Sequence, residues 1–144
     1  MSASQVTTLL VSKIPQGPAP KAALLCRSYT PDFKALAQAL DELDGELDCF
    51  SDTLETGATG LDALGSHYQR AYELMVIEGC LSPQGDLLDR CWQVLENSAL
   101  LIVVAGSSDW FEPLTAAGFS NPALIELDGS SVLIAHKSFA WGSI

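Results

Sequence analysis

The sequence predicts an α/β fold with a mainly parallel sheet. Three observations carry this. Short apolar runs of strand character alternate with segments whose apolar residues recur at helical spacing. One run, Ala99 to Ala105, is uncharged and unbroken, as a strand covered on both faces is. The chain then finishes on two strand-like segments around Asp128-Gly129, a strong signal for a two-residue turn. An antiparallel hairpin should therefore close the sheet. The whole arrangement reads as a doubly wound sheet in shortened form.

The elements follow in order. Residues 1–20 are expected to be an N-terminal arm or an extra strand over Val6 to Val11, because Pro15, Gly17, Pro18 and Pro20 break any longer element. The domain proper is expected over 21–137. Ala22 to Cys26 reads as its first strand. Thr30 suits a helix cap, Pro31 the first helical position, and Asp32 the positive end of the helix dipole. Phe33, Leu36, Ala37, Leu40 and Leu43 then trace one helical face, and Gly45 stops it. Glu46 to Phe50 alternates as a strand near an edge does. Thr53 to Gly65 reads as loop, with one helical turn near Leu61–Leu64. Tyr72 to Ile77 predicts a third strand. Ser82-Pro83 opens the next helix, with Leu87, Leu88, Cys91, Trp92, Val94 and Leu95 apolar and Asn97 as its stop. Leu100 to Val104 is the strongest strand. Ser107 to Asp109 caps a short helix through Ala117, closed by Gly118. Ala123 to Leu127 and Ser131 to His136 form the hairpin. Residues 138–144 are expected to begin a linker.

Bulk properties narrow the function. At 144 residues the chain fits one domain. Hydrophobic residues make up 48%, too many for a disordered chain. The longest apolar run is too short to span a bilayer, and no basic segment leads into an apolar one at the N-terminus. No membrane role is expected. The net charge of −11 disfavours nucleic acid, because an acidic surface repels phosphate backbones. The charge is uneven: residues 1–40 hold Lys13, Lys21, Arg27 and Lys34 against Asp32, while residues 41–96 hold most of the acids. Solubility accounts for that surface; a basic partner would also fit it. Cys26, Cys49, Cys80 and Cys91 form no C-x-x-C pair and match no zinc spacing. Three of them sit in apolar stretches and read as small buried hydrophobes, which fits a reducing, cytoplasmic compartment.

Catalytic chemistry is hard to find. A nucleotide-binding sheet of this kind needs glycines after its first strand, so that backbone can approach the cofactor. Here that turn is Arg27-Ser28-Tyr29-Thr30-Pro31; it has no glycine, and Tyr29 is expected to fill the space. Asp48, Asp52 and Glu55 lie near the place of a ribose-binding acid, but in so acidic a chain they read as a solvated loop. Asp41 to Gly45 lacks the alternation of a calcium loop. His67 and His136 have no ligand partner at metal spacing. Ser12, Ser28 and Ser82 lack a nucleophile-elbow context. Gly57 to Gly60 is no phosphate loop, having no lysine. Tyr72, Trp92, Trp110 and Phe119 read as packing residues, whereas Trp141 follows the last strand with nothing further to pack into. No catalytic, cofactor-binding or metal-binding residue is assigned.

The helix–strand–helix–hairpin order of the last third resembles the back half of an S-adenosylmethionine methyltransferase domain. Three stretches resemble, more specifically, the N-terminal domain of the anamorsin family. They are Tyr72 to Gly106 with Arg90-x-x-x-Val94-Leu95, then Leu114-x-x-Ala117-Gly118-Phe119, then the tail Ala135-His136-Lys137-Ser138-Phe139-Ala140-Trp141-Gly142-Ser143. The first two are shared with methyltransferases generally; the tail is the discriminator. The resemblance covers residues 21–143. It implies a shortened methyltransferase-like domain without cofactor-binding features, in a factor for cytosolic iron–sulfur protein biogenesis. It also implies a linker and a separate cysteine-rich domain carrying the iron–sulfur clusters. Partners would be a diflavin reductase, through the full-length protein, and a monothiol glutaredoxin.

The function expected from the sequence is thus a non-catalytic protein-interaction and stabilising domain in an iron–sulfur electron-transfer chain, with no cofactor of its own. The alternative is a small S-adenosylmethionine-dependent methyltransferase with an atypical site. It predicts an open crevice near Cys26–Thr30 and Glu78–Leu81.

Overall fold

The computed structural model describes residues 5–15, 17–27, 30–51, 59–60, 72–79, 81, 85–127 and 129–137. Its helices are α1 (Gln5–Ser12), α2 (Pro31–Glu42), α3 (Gly85–Val94) and α4 (Phe111–Ala117). Its strands are β1 (Lys21–Leu25), β2 (Glu46–Ser51), β3 (Thr59–Gly60), β4 (Tyr72–Glu78), β5 (Leu95–Val104), β6 (Ser120–Leu127) and β7 (Ser130–His136). The strands form one sheet in the order β3-β2-β1-β4-β5-β7-β6. β1 to β5 pair in parallel, and β7 runs antiparallel to both β5 and β6. The mainly parallel sheet with a terminal antiparallel hairpin is therefore present. Only residues 52–58 join β2 to β3, where a parallel crossover usually takes a dozen or more.

Side-chain alternation divides the interior into two cores. Ala23, Leu25, Met75, Ile77, Leu101, Val103, Leu133 and Ala135 face α3 and α4. Ala22, Leu24, Leu74, Val76, Ile102, Val132 and Ile134 face α1 and α2. Successive strand residues point to opposite faces, so a strand covered on both sides must be apolar throughout. This is why β1, β4 and β5 carry unbroken hydrophobic runs.

The start of the chain differs from expectation. Gln5–Ser12 is neither a loose arm nor a strand; it is a helix, with Val6 and Leu10 buried one turn apart and Ile14 buried just beyond it. Val6, Thr7, Thr8 and Val11 are β-branched and favour strand locally, but by only tenths of a kcal/mol each. Burying three aliphatic side chains contributes about 1.5–3 kcal/mol apiece and decides the outcome.

α2 forms as its caps dictate. Thr30 Oγ1 accepts from the Phe33 N–H at 3.4 Å, and Pro31 opens the helix. Phe33, Leu36 and Leu40 are buried, while Leu43 is half exposed at the helix end. Gly45 follows that end but does not supply its left-handed residue. Asp44 does, with φ 58°. Gly45 is required for another reason: a Cβ there would lie 2.4 Å from the Pro20 carbonyl oxygen.

Asn97 is not the stop of α3. The helix ends at Val94, and β5 begins directly at Leu95. The early part of β5 pairs irregularly, since Leu95 meets Tyr72 while Leu100 meets Leu74. Ser107 caps a single 3-10 turn, Ser108–Trp110, ahead of α4, which Gly118 closes at φ 109°. The helical turn expected near Leu61–Leu64, the Ser82-Pro83 helix start and the linker over 138–144 lie outside the described residues.

Candidate functional site

In open α/β sheets, ligands bind beyond the carboxyl ends of the strands where strand order reverses. Here β1 is that point, with β2 on one side and β4 on the other. Past β1, the Cys26 N–H donates to Phe50 O at 3.0 Å, extending the pairing with β2. The next N–H, that of Arg27, donates to a side chain: Glu78 Oε1 accepts it at 2.6 Å. Glu78 is the last residue of β4. Its carboxylate therefore bridges the carboxyl ends of β1 and β4, where the strand order reverses.

Neighbouring backbone is drawn in tightly. The Gly79 N–H donates to Val104 O at 2.7 Å, and a Cβ at Gly79 would lie 2.3 Å from Ala105 O. Gly106 donates its N–H to Ser131 O at 3.1 Å. These two glycines pack β4, β5 and β7 against one another; the sequence reading missed them. On the other side, the Thr7 hydroxyl of α1 donates to the Asp32 carboxylate in the first turn of α2. That contact fixes α1 beside the turn from β1 to α2.

The acids near β2 are placed differently from a ribose ligand. Asp48 registers with Ala23, short of the end of β1, and its Oδ2 accepts from the Tyr72 hydroxyl at 2.6 Å. The bond spans β1, which lies between the two strands. Burial, then the hydrogen bond to Asp48, push the Tyr72 phenol above the ordinary tyrosine range. Burial and the Asp48 charge also raise the Cys49 thiol. Asp52, Glu55, Ser28, Tyr29, Ser82, His67, Cys80 and Trp141 lie outside the described residues.

Other residues weighed from sequence are dispersed. Cys26 and Cys91 are buried and outside any disulfide, and Cys49 is partly buried. Burial pushes Cys91 up to about 12. His136 sits on β7; its Nδ1 is buried without a hydrogen-bond partner among the described residues. No cluster of potential metal ligands occurs among the described residues. Tyr72, Trp110 and Phe119 are core residues, and Trp92 packs on that core with its ring edge-to-face on Phe119 at 5.2 Å. No described helix is long and apolar enough to cross a membrane.

No protein-family model and no curated protein matches the chain. Solved structures do. A SAM-dependent O-methyltransferase from Thermotoga maritima aligns with a TM-score of 0.67 over 96% of this chain and 67% of its own, at 9% identity. The CurJ carbon methyltransferase aligns with a TM-score of 0.69 over 93% of this chain, at 11% identity, and this chain spans 54% of it. A precorrin-6y C5,15-methyltransferase from Geobacter metallireducens gives 0.67 over 96% of this chain and 90% of its own, at 11% identity. The class is thus one of fold: this is an α/β Rossmann-like domain with the fold that these methyltransferases have. At such identities the likeness extends to the fold alone.

Proposed function

We propose that this chain is a methyltransferase-fold docking domain that performs no methyl transfer. One observation carries the reading: the Glu78 carboxylate is tied to the Arg27 N–H across the switch point. Fold relatives that bind a nucleotide need free backbone N–H groups and glycine-made space at that turn. Here the N–H at Arg27 is taken by the protein itself, and Arg27-Ser28-Tyr29-Thr30-Pro31 contains no glycine. The Arg27–Glu78 pairing does not fit S-adenosylmethionine in the usual pose.

The domain then works through its surfaces. In the anamorsin-type reading it belongs to a cytoplasmic factor for iron–sulfur protein biogenesis. Its partners there are a monothiol glutaredoxin and, through the longer protein, a diflavin reductase. Clusters in that reading sit on a separate cysteine-rich domain, and none is assigned to this chain. Co-purification with a monothiol glutaredoxin tests the partner assignment. A stoichiometric complex supports it, and none at micromolar concentrations overturns it.

A second reading has its own support. The seven-stranded sheet belongs to a fold that the aligned methyltransferases share. A small enzyme with an atypical cofactor pose would keep that fold too. Titration with S-adenosylmethionine separates the readings.

A further inference from the structure

The sheet ends on two unequal edges. β3 is two residues long and offers little to pair with. β6 is eight residues long and is the last strand in the sheet order. Its first part is guarded. Pro122 has no N–H, Asn121 takes φ 53°, and pairing with β7 is irregular between Ser120 and Ala123. Such features protect edge strands from pairing with other chains. From Ala123 to Leu127 they stop. Pairing with β7 is regular, Glu126 is the sole charge, and Leu124 and Ile125 are 40% and 37% exposed. Leu124 registers with Leu133 of one core and Ile125 with Val132 of the other. An exposed apolar side chain therefore stands at the rim of each sheet face.

Charge selects the occupant. No lysine or arginine occurs between Cys91 and His136. Asp109, Glu112 and Glu126 are all exposed, and α4, which carries Glu112, packs beside β6. β6 and the helix beside it thus carry acids and no lysine or arginine. Two copies of this edge would repel, whereas a cationic strand would be attracted.

We propose that Ala123–Leu127 is a strand-addition site. It takes an extended, apolar segment of a partner protein that carries a lysine or arginine. The partner's backbone hydrogen-bonds along the edge, its apolar side chains meet Leu124 and Ile125, and its cation lies near Glu126. This gives the docking role an address and rests on that role.

The test is a titration of the full isotope-labelled chain, followed by amide chemical shifts. The probe is a capped peptide alternating valine and threonine around one central lysine. Shifts should concentrate on the amides of Ala123–Leu127. Replacing the peptide's lysine by glutamate should weaken binding about two- to fivefold, the worth of one exposed ion pair. Glu126→Lys should reverse that preference, and Ile125→Ser should weaken both peptides. Shifts that are absent or lie elsewhere overturn the proposal, as do equal affinities for the two peptides. Movement of the β6 amides with protein concentration alone also overturns it, because a second copy then holds the edge. A response to S-adenosylmethionine would instead move Cys26, Arg27 and Gly79, and would bear on the docking role without touching the edge.

Discussion

Lys137 closes the end of the helix that contains Trp92. The Lys137 ammonium is buried, lies 4.9 Å from the centre of a Trp92 ring, and donates to Trp92 O at 2.5 Å and Leu95 O at 2.6 Å. It thereby satisfies carbonyls that the end of α3 leaves without helical partners, and its charge faces the negative end of the helix dipole. This is how α3 turns into β5 without a glycine. Lys137→Met keeps the aliphatic stem and orphans both carbonyls. It should cost about 2–4 kcal/mol in urea unfolding, whereas substituting the exposed Lys34 should cost under about 0.5 kcal/mol.

The Cys91 thiol is fully buried between α3 and the sheet, and its folded-state pKa of about 12 exceeds its ordinary value of 9.0. Above pH 9 the unfolded chain releases this proton and the folded chain does not. Its contribution to stability is thus fully present below pH 9 and lost as pH rises toward 12. Unfolding free energies measured across that window should fall, and less steeply in Cys91→Ala. Alkylation at pH 8, read by mass spectrometry, should leave residue 91 unmodified in the native chain and label it in urea.

Tyr72 shifts in the same direction for a different set of reasons, burial first and Asp48 second. Its phenol should stay protonated in the folded chain at pH values where a free tyrosine, near 10, has ionised. Tyr72→Phe should remove one tyrosinate's worth of absorbance only after unfolding, and should cost about 1 kcal/mol from the lost hydrogen bond. A native spectrum that loses that absorbance at pH 11 would show the phenol to be ordinary.

Gly79 and Gly106 should respond unequally to alanine. The added methyl at position 79 meets the Ala105 backbone, its oxygen at 2.3 Å and its carbonyl carbon at 2.6 Å. At position 106 it meets chiefly the Val103 side chain, at 2.9 Å. Backbone yields less readily than a side chain. Gly79→Ala should therefore cost about 1–3 kcal/mol and exceed Gly106→Ala in thermal unfolding.

The strands and caps were legible because they are local. Thr30-Pro31, Gly118 and the apolar runs of β4 and β5 each state their structure within a few residues. The failures came from distant partners. α1 reads as strand until Val6, Leu10 and Ile14 find a core to enter. The end of α3 reads as Asn97 because its true cap, Lys137, arrives 43 residues after Val94. The same holds at the crevice. The missing glycines were visible in sequence, but Glu78 is one acid among 18. Only the pairing of β1 with β4 brings it to Arg27.

The docking reading stands or falls on the crevice. Calorimetric titration of the full chain with S-adenosylmethionine, and with S-adenosylhomocysteine as its product form, tests it most directly. The account predicts no binding heat up to millimolar ligand. Saturable binding at micromolar concentration, weakened by substitution at Cys26 or Gly79, would contradict it.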